Sequence, residues 1–234
     1  MIISHKYKYI FIKTTKTAGT SVEISLSRFC GEDDIVTPLM EKDEVIRCKH
    51  GGKPQNFMRP LHLSEYSKGD WWRCVSQLKR PAKIQFWNHI TAAQIKSRIA
   101  PEIWDSYYKF CFVRNPWDRA ISRYFWNIEK TGNHEELEAS LRNNDPNSNF
   151  DIYSIGDQVA VDFVGKYENL AVDLGTVCQH LDIPFDGWLP RAKGTARKTR
   201  QHYSNILNPQ QAEYIHQKCS REIDLFGYQF AQIN

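Results

Sequence analysis

The sequence predicts an α/β fold: a three-layer sandwich whose central sheet is mostly parallel, with helices on both faces. Two strand–turn–helix units carry the prediction, one around residue 14 and one around residue 114, and a third strand followed by a helix repeats the pattern near residue 165. Strands that alternate with helices need crossover connections, and crossovers place helices against both faces of a parallel sheet. Ligands in such sheets bind at the carboxyl ends of the strands.

Residues 7–13 alternate and are rich in β-formers, which predicts the first strand. A turn covers Thr14 to Thr17, and the apolar spacing of Ala18, Val22, Leu26 and Phe29 predicts a helix over 18–29. Residues 31–86 hold turn signals, scattered charge and the pair Trp71-Trp72, and read as an insertion or cap within a single domain spanning 1–234. A short helix is expected over 89–100, closed by Pro101, and a strong strand over 107–113. Asn115-Pro116 then supplies a favoured N-cap followed by proline at the first helical position, so a helix runs from Pro116 to about Lys130 and stops near Gly132. A polar loop at 143–149, a strand over 159–167, a helix over 169–181, a basic loop over 190–200 and a last helix over 209–226 complete the chain.

Composition sets the bounds. The 234 residues suffice for one domain with a sizeable core, and 41% hydrophobic with 25% charged residues is ordinary globular usage. A net charge of +4 suits an anionic ligand and falls far short of the basic stripe of a nucleic-acid binder. The six cysteines form no CxxC pair and have irregular spacing, which predicts free thiols in a reducing compartment rather than a zinc site or disulfide framework. No apolar run approaches the roughly 18 residues of a membrane span and no apolar leader precedes the first strand, so a cytoplasmic protein without a transmembrane segment is expected.

Two segments carry chemistry. Lys16-Thr17-Ala18-Gly19-Thr20-Ser21 joins a strand to a helix, where unpaired N–H groups and the helix dipole attract phosphate or sulfate. Lys16 adds a mobile charge, Gly19 a close backbone approach, and Thr17, Thr20 and Ser21 hydroxyl donors. An anion site and a capped helix with a solvated lysine both fit this context. The lysine precedes the glycine and no glycine lies upstream, so this is not the Walker A pattern and ATP-dependent kinase chemistry is disfavoured. In the second segment, Arg114 ends a strand beside a helix N-terminus and offers the planar fork that suits phosphate, while Ser122 lies about two turns into the helix. Arg119 and Asp118 read as a solvated surface pair.

Together these segments resemble the PAPS-dependent sulfotransferases, where PAPS is 3′-phosphoadenosine-5′-phosphosulfate. The likeness is nearest the carbohydrate group that includes chondroitin, dermatan and heparan 2-O-sulfotransferases. Asn88-His89-Ile90-Thr91-Ala92, the stretch from Val161 to Leu170, and Asp224-Leu225-Phe226-Gly227-Tyr228 extend the resemblance to about two thirds of the chain. It implies a P-loop-like fold in which Lys16, Thr17, Ala18, Gly19, Thr20 and Ser21 hold the 5′-phosphosulfate and Arg114 with Ser122 hold the 3′-phosphate. It implies His89 and Lys16 as catalytic residues, PAPS as co-substrate with adenosine 3′,5′-bisphosphate as product, no required metal, and a hydroxyl-bearing carbohydrate acceptor. The loop carrying Arg191, Lys193, Arg197, Lys198 and Arg200 would fold over the nucleotide, through Arg197 or Lys198 above all. Relatives commonly place proline before the loop lysine; this chain has Thr15. His50, His62, Glu23 and Glu65 are fallback bases. Trp71, Trp72 and Trp87 with Lys79, Arg80 and Lys83 fit either sugar recognition or a hydrophobic cap with a wet rim. A small-molecule kinase and a non-catalytic bisphosphate-binding module are the competing readings.

Overall fold

In the computed structural model, residues 1–77, 80–144, 146, 149–190, 192 and 201–230 are described. The chain opens with a tight antiparallel pair, β1 (Ile2–Ser4) and β2 (Tyr9–Phe11), then α1 (Gly19–Ser27), β3 (Ile35–Val36) and α2 (Glu41–Lys49). A stretch built from β4 (Met58–Pro60), α3 (Lys68–Gln77) and β5 (Ala82–Ile84) follows, then α4 (Ala92–Lys96), α5 (Pro101–Ser106), β6 (Tyr108–Val113) and α6 (Pro116–Thr131). Next come α7 (Leu137–Asn143), α8 (Phe150–Tyr153), the short pair β7 (Ser154–Ile155) and β8 (Gln158–Val159), then β9 (Phe163–Lys166) and α9 (Leu170–His180). Helices α10 (Pro209–Lys218) and α11 (Ser220–Phe226) end the described fold.

The main sheet has the order β3-β1-β2-β6-β9. Strands β2, β6 and β9 are parallel, and β3 runs with them because it and β2 both oppose β1. Four of the five strands therefore share one direction, as the sequence predicts. Side chains alternate across the sheet and are apolar on both faces, the signature of a sheet covered on each side. Ile3, Ile10, Ile12, Cys111 and Val113 pack against Ile95 of α4, Trp104 of α5 and Tyr153 of α8. Tyr9, Phe11, Phe110 and Phe112 pack on the other face against Val22 and Leu26 of α1 and Leu174 and Val177 of α9. A third cluster joins α6 to α7, α10 and α11 through Trp117, Ile121, Leu141 and Ile215.

Several expected elements are shorter or divided. The strand expected over 7–13 is confined to β2 because the chain turns tightly at Lys8 (φ 55°) to pair with β1. The helix expected over 89–100 begins only at Ala92, because Thr91 caps it: its hydroxyl accepts from the Gln94 amide, and the Gln94 side chain returns a bond to the Thr91 amide. The strand expected over 159–167 splits. Its first part pairs locally with β7, and Asp162 then exchanges bonds with the Lys109 backbone before β9 joins β6. The last helix breaks at Cys219 (φ −112°, ψ 16°). Helices α5 and α7 fall where none is expected. The segment 31–86 divides: β3 extends the main sheet and Arg47 of α2 is fully buried, whereas β4, α3 and β5 form a separate two-stranded ladder and helix.

Candidate active site

Strand register brings the two motifs together. Phe11 of β2 pairs in parallel with Phe110 of β6, so both strands release their next residues at the same edge. The Thr14 hydroxyl donates to the Phe112 carbonyl and meets the Thr17 hydroxyl at 2.8 Å. Arg114, mostly buried, donates from Nη1 to the Lys16 carbonyl at 3.0 Å. Its Nε and Nη2 donate to Asp118 Oδ2 at 2.8 and 2.6 Å, and its guanidinium lies 4.0 Å from the ring centre of Tyr167. A guanidinium has five N–H groups; these bonds engage three and leave two for an anion.

The first loop is shaped like an anion cradle. Lys16 (φ 62°) and Ala18 (φ 58°) both take the left-handed conformation that non-glycine residues rarely adopt. Alternating backbone hands turn successive N–H groups into one concavity, and two such residues cost on the order of 1–3 kcal/mol each. Ala18 is the N-cap of α1 and has no side-chain oxygen to satisfy the first-turn amides. Gly19, Thr20 and Ser21 begin the helix buried, so those amides and the positive end of the helix dipole point into the loop. Gly19 is needed for a reason other than ligand approach: a Cβ there would fall 2.7 Å from Lys13 Cγ.

Lys13 is the buried cation that sequence reasoning missed. It forms an ion pair with Glu23 and donates to Asn88 Oδ1 at 3.1 Å. Burial favours the neutral acid of Glu23, but Lys13 above all, then the Met1 ammonium and Arg47, outweigh it and hold the carboxyl down to about 2. Glu23 thus secures Lys13 and is a poor base. The Lys13 carbonyl meets His89 Nδ1 at 3.0 Å. A carbonyl can only accept, so Nδ1 carries the hydrogen and Nε2 is left with a lone pair. The His89 backbone is left-handed (φ 60°), and the residue has an exposed outer edge. Protein packed around the remainder of the ring, followed by the Lys13 ammonium, disfavours imidazolium and brings its pKa down to about 4.

On α6, Asp118, Ser122 and Trp126 are spaced four apart and share one face. Arg114 stands over the first of them, and the Lys16 ammonium lies 5.4 Å from the Trp126 ring centre. Ser122 therefore sits between the two cations along the helix. Asp118 is not a surface partner of Arg119, as expected, but the clamp on Arg114. Arg119 is buried and bonds Glu222 Oε2 at 2.5 Å and the Pro146 carbonyl at 2.6 Å. The other three fallback bases lie elsewhere. His50 packs on Trp188, whose carbonyl accepts from Ser25, about 9 Å along α1 from the loop. His62 and Glu65 belong to the β4–β5 region, where Glu65 is tied to Arg59 and Lys83. Arg197 and Lys198 lie outside the described residues. Among the described residues, no cluster of His, Cys, Asp or Glu could hold a metal ion.

Asn149 is a second missed residue. Fully buried, it accepts from the Thr15 amide (2.8 Å) and hydroxyl (2.6 Å) and donates to the Thr15 carbonyl (2.9 Å). These three bonds restrain the position where relatives use proline. Replacing Asn149 with alanine leaves the part-buried Thr15 amide without its acceptor, a cost of about 1–3 kcal/mol, and is expected to lower the melting temperature by about 2–12 °C. Adding Thr15→Pro removes that amide and stiffens the backbone, so the double variant should regain most of the lost stability. No recovery would mean that Asn149 acts other than by holding Thr15.

A mostly parallel α/β sandwich with an uncapped helix N-terminus and cations at one sheet edge is the arrangement that suits an anionic substrate. The chain belongs to the Sulfotransferase family, which matches residues 1–229, and sulfuryl transfer is thereby its reaction class. An uncharacterised protein of Archaeoglobus fulgidus is 32% identical over 106 residues, covering 40% of this chain and 82% of that protein. A crystal structure of a sulfotransferase from Alicyclobacillus acidocaldarius covers 94% of this chain and 96% of its own at 17% identity, with a TM-score of 0.42. Among the described residues, no helix is long and apolar enough to cross a membrane.

Proposed function

We propose that this protein transfers the sulfuryl group of PAPS to a hydroxyl of a carbohydrate or glycoconjugate. The observation that carries the reading is the Arg114–Lys16 contact, which joins the loop after β2 to the loop after β6 at one edge of the sheet. The 5′-phosphosulfate fits the cradle of Lys16, Thr17, Ala18, Gly19, Thr20 and Ser21. The 3′-phosphate fits the two remaining Arg114 donors with the Ser122 hydroxyl beside them. The six cysteines are free thiols, in keeping with a cytoplasmic protein.

His89 Nε2 takes the proton of the acceptor hydroxyl as its oxygen attacks sulfur. The new S–O bond forms as the bond to the 5′-phosphate oxygen breaks, and that oxygen keeps the electron pair. Lys16 and the first-turn amides of α1 stabilise the charge that develops there. The buried Lys13 holds the His89 tautomer through its carbonyl.

Transfer of radiolabelled sulfate from PAPS to a panel of sugars, glycolipids, phenols and peptides tests the proposal. Lys16→Ala should lower turnover at least about hundredfold. His89→Ala should lower it by about 10²–10⁴ while sparing bisphosphate affinity. Because His89 stays neutral down to about pH 4, the acid limb of kcat/KM should fall near there rather than near 6.5. Tight bisphosphate binding without transfer to any acceptor would make the chain a binding module; transfer of labelled phosphate from ATP instead would make it a kinase.

A further inference from the structure

The β4–α3–β5 segment leaves apolar surface uncovered. Met58 and Ile84 are cross-strand partners and share one face of the ladder with Pro60 and Ala82. That face is exposed, Ile84 by 58%. The opposite face carries Arg59 and Lys83, both paired to Glu65. On α3, Trp72 and Val75 are 72% and 78% exposed and lie one turn apart, with Lys68 one turn before Trp72. Trp71 packs edge-on against Tyr66, and Leu63 is 69% exposed. Of the ten large hydrophobic side chains exposed among the described residues, six fall in this segment, so the apolar exposure is concentrated rather than scattered.

The same stretch of sequence also carries the chain's excess of positive charge. Residues 58–84 hold Arg59, Lys68, Arg73, Lys79, Arg80 and Lys83 against Glu65 and Asp70. Their net +4 equals the formal net charge of the whole chain, so the other residues together are neutral. We infer that this segment is an interfacial docking surface for an anionic lipid bilayer. Tryptophan settles at the headgroup level, where its ring is apolar and its N–H stays hydrated. Each lysine or arginine beside an anionic leaflet strengthens partitioning about fivefold. A second copy of the chain is the wrong occupant, since it would set +4 against +4. The contact lies on the membrane rather than through it, with the apolar side chains reaching into the headgroup boundary.

The test is co-sedimentation of the full chain with large vesicles of phosphatidylcholine alone or mixed with phosphatidylglycerol, without donor or acceptor. Binding should be at least tenfold tighter to the phosphatidylglycerol vesicles and should weaken with salt. Trp72→Glu with Val75→Glu, both at exposed positions, should lower it at least tenfold. Brominated phosphatidylglycerol should quench tryptophan emission, and Trp71→Phe with Trp72→Phe should abolish most of that quenching. Equal binding to both vesicle types, binding indifferent to Trp72→Glu/Val75→Glu, or capture by polyglutamate with vesicles ignored would each overturn the inference. The last result would assign the surface to an acidic protein. None of these outcomes bears on sulfuryl transfer, which is measured separately.

Discussion

Arg114→Ala is expected to weaken adenosine 3′,5′-bisphosphate binding at least hundredfold. The guanidinium neutralises Asp118 and holds the Lys16 carbonyl from the side, and in the proposed complex its two remaining N–H groups would take a phosphate. A hydrogen bond to a charged group contributes about 1.5–3 kcal/mol. Removing it also leaves Asp118 unneutralised beside the bound anion. These effects have the same sign, and about 3 kcal/mol corresponds to a factor above one hundred. Arg114→Lys should recover little, because an ammonium cannot fork onto Asp118 and phosphate while lying flat on Tyr167. The double variant Arg114→Ala/Asp118→Ala separates the causes: recovered affinity assigns the loss to repulsion by Asp118, and no recovery assigns it to the missing donors. Unchanged affinity in Arg114→Ala, measured by calorimetry on a folded protein, would take the second motif out of the site.

The parallel core of this fold is legible in the sequence because β2 and β6 are apolar on both faces and are followed at once by turn and cap signals. The anion loop is legible for the same reason: its position after a strand and before a helix is a local property. What escapes is non-local. Strands β1 and β3 span three and two residues and exist only because β2 offers β1 an edge and β1 in turn offers one to β3. The Asn149 bonds to Thr15 cross 134 positions with no periodic signal. Lys13 looks like the polar end of a strand, yet it turns inward beneath Gly19. The one hint was a lysine after an apolar run followed six residues later by a glycine at a helix start. Tyr167 could have been found, since it follows the third parallel strand and must emerge at the same edge as Arg114. His89 is placed by its sequence context, but its left-handed backbone is incompatible with the helix expected there.

The largest stability effect should come from Arg119, away from the reacting groups. Its guanidinium is enclosed by α6, α11 and the chain at Pro146, bonded to Glu222 and in contact with Cys219 Sγ at 3.5 Å. Glu222 is equally buried and also accepts from the Tyr153 hydroxyl at 3.0 Å. Burial, then the Glu222 charge, pushes that phenol far above its ordinary range, so it remains a donor at any working pH. Arg119→Ala therefore strands a carboxylate in the interior with one neutral partner. Breaking a buried pair in this way costs about 3–5 kcal/mol. At about 2–4 °C per kcal/mol for a chain of this size, the melting temperature should fall by about 6–20 °C. The pair as a whole need not be worth that much, because desolvation opposes its attraction. Arg119→Met with Glu222→Gln fills the same space without net charge and should regain most of the loss. A double variant as unstable as Arg119→Ala would show that the charges themselves, and not the stranding of one of them, hold α6 against α11.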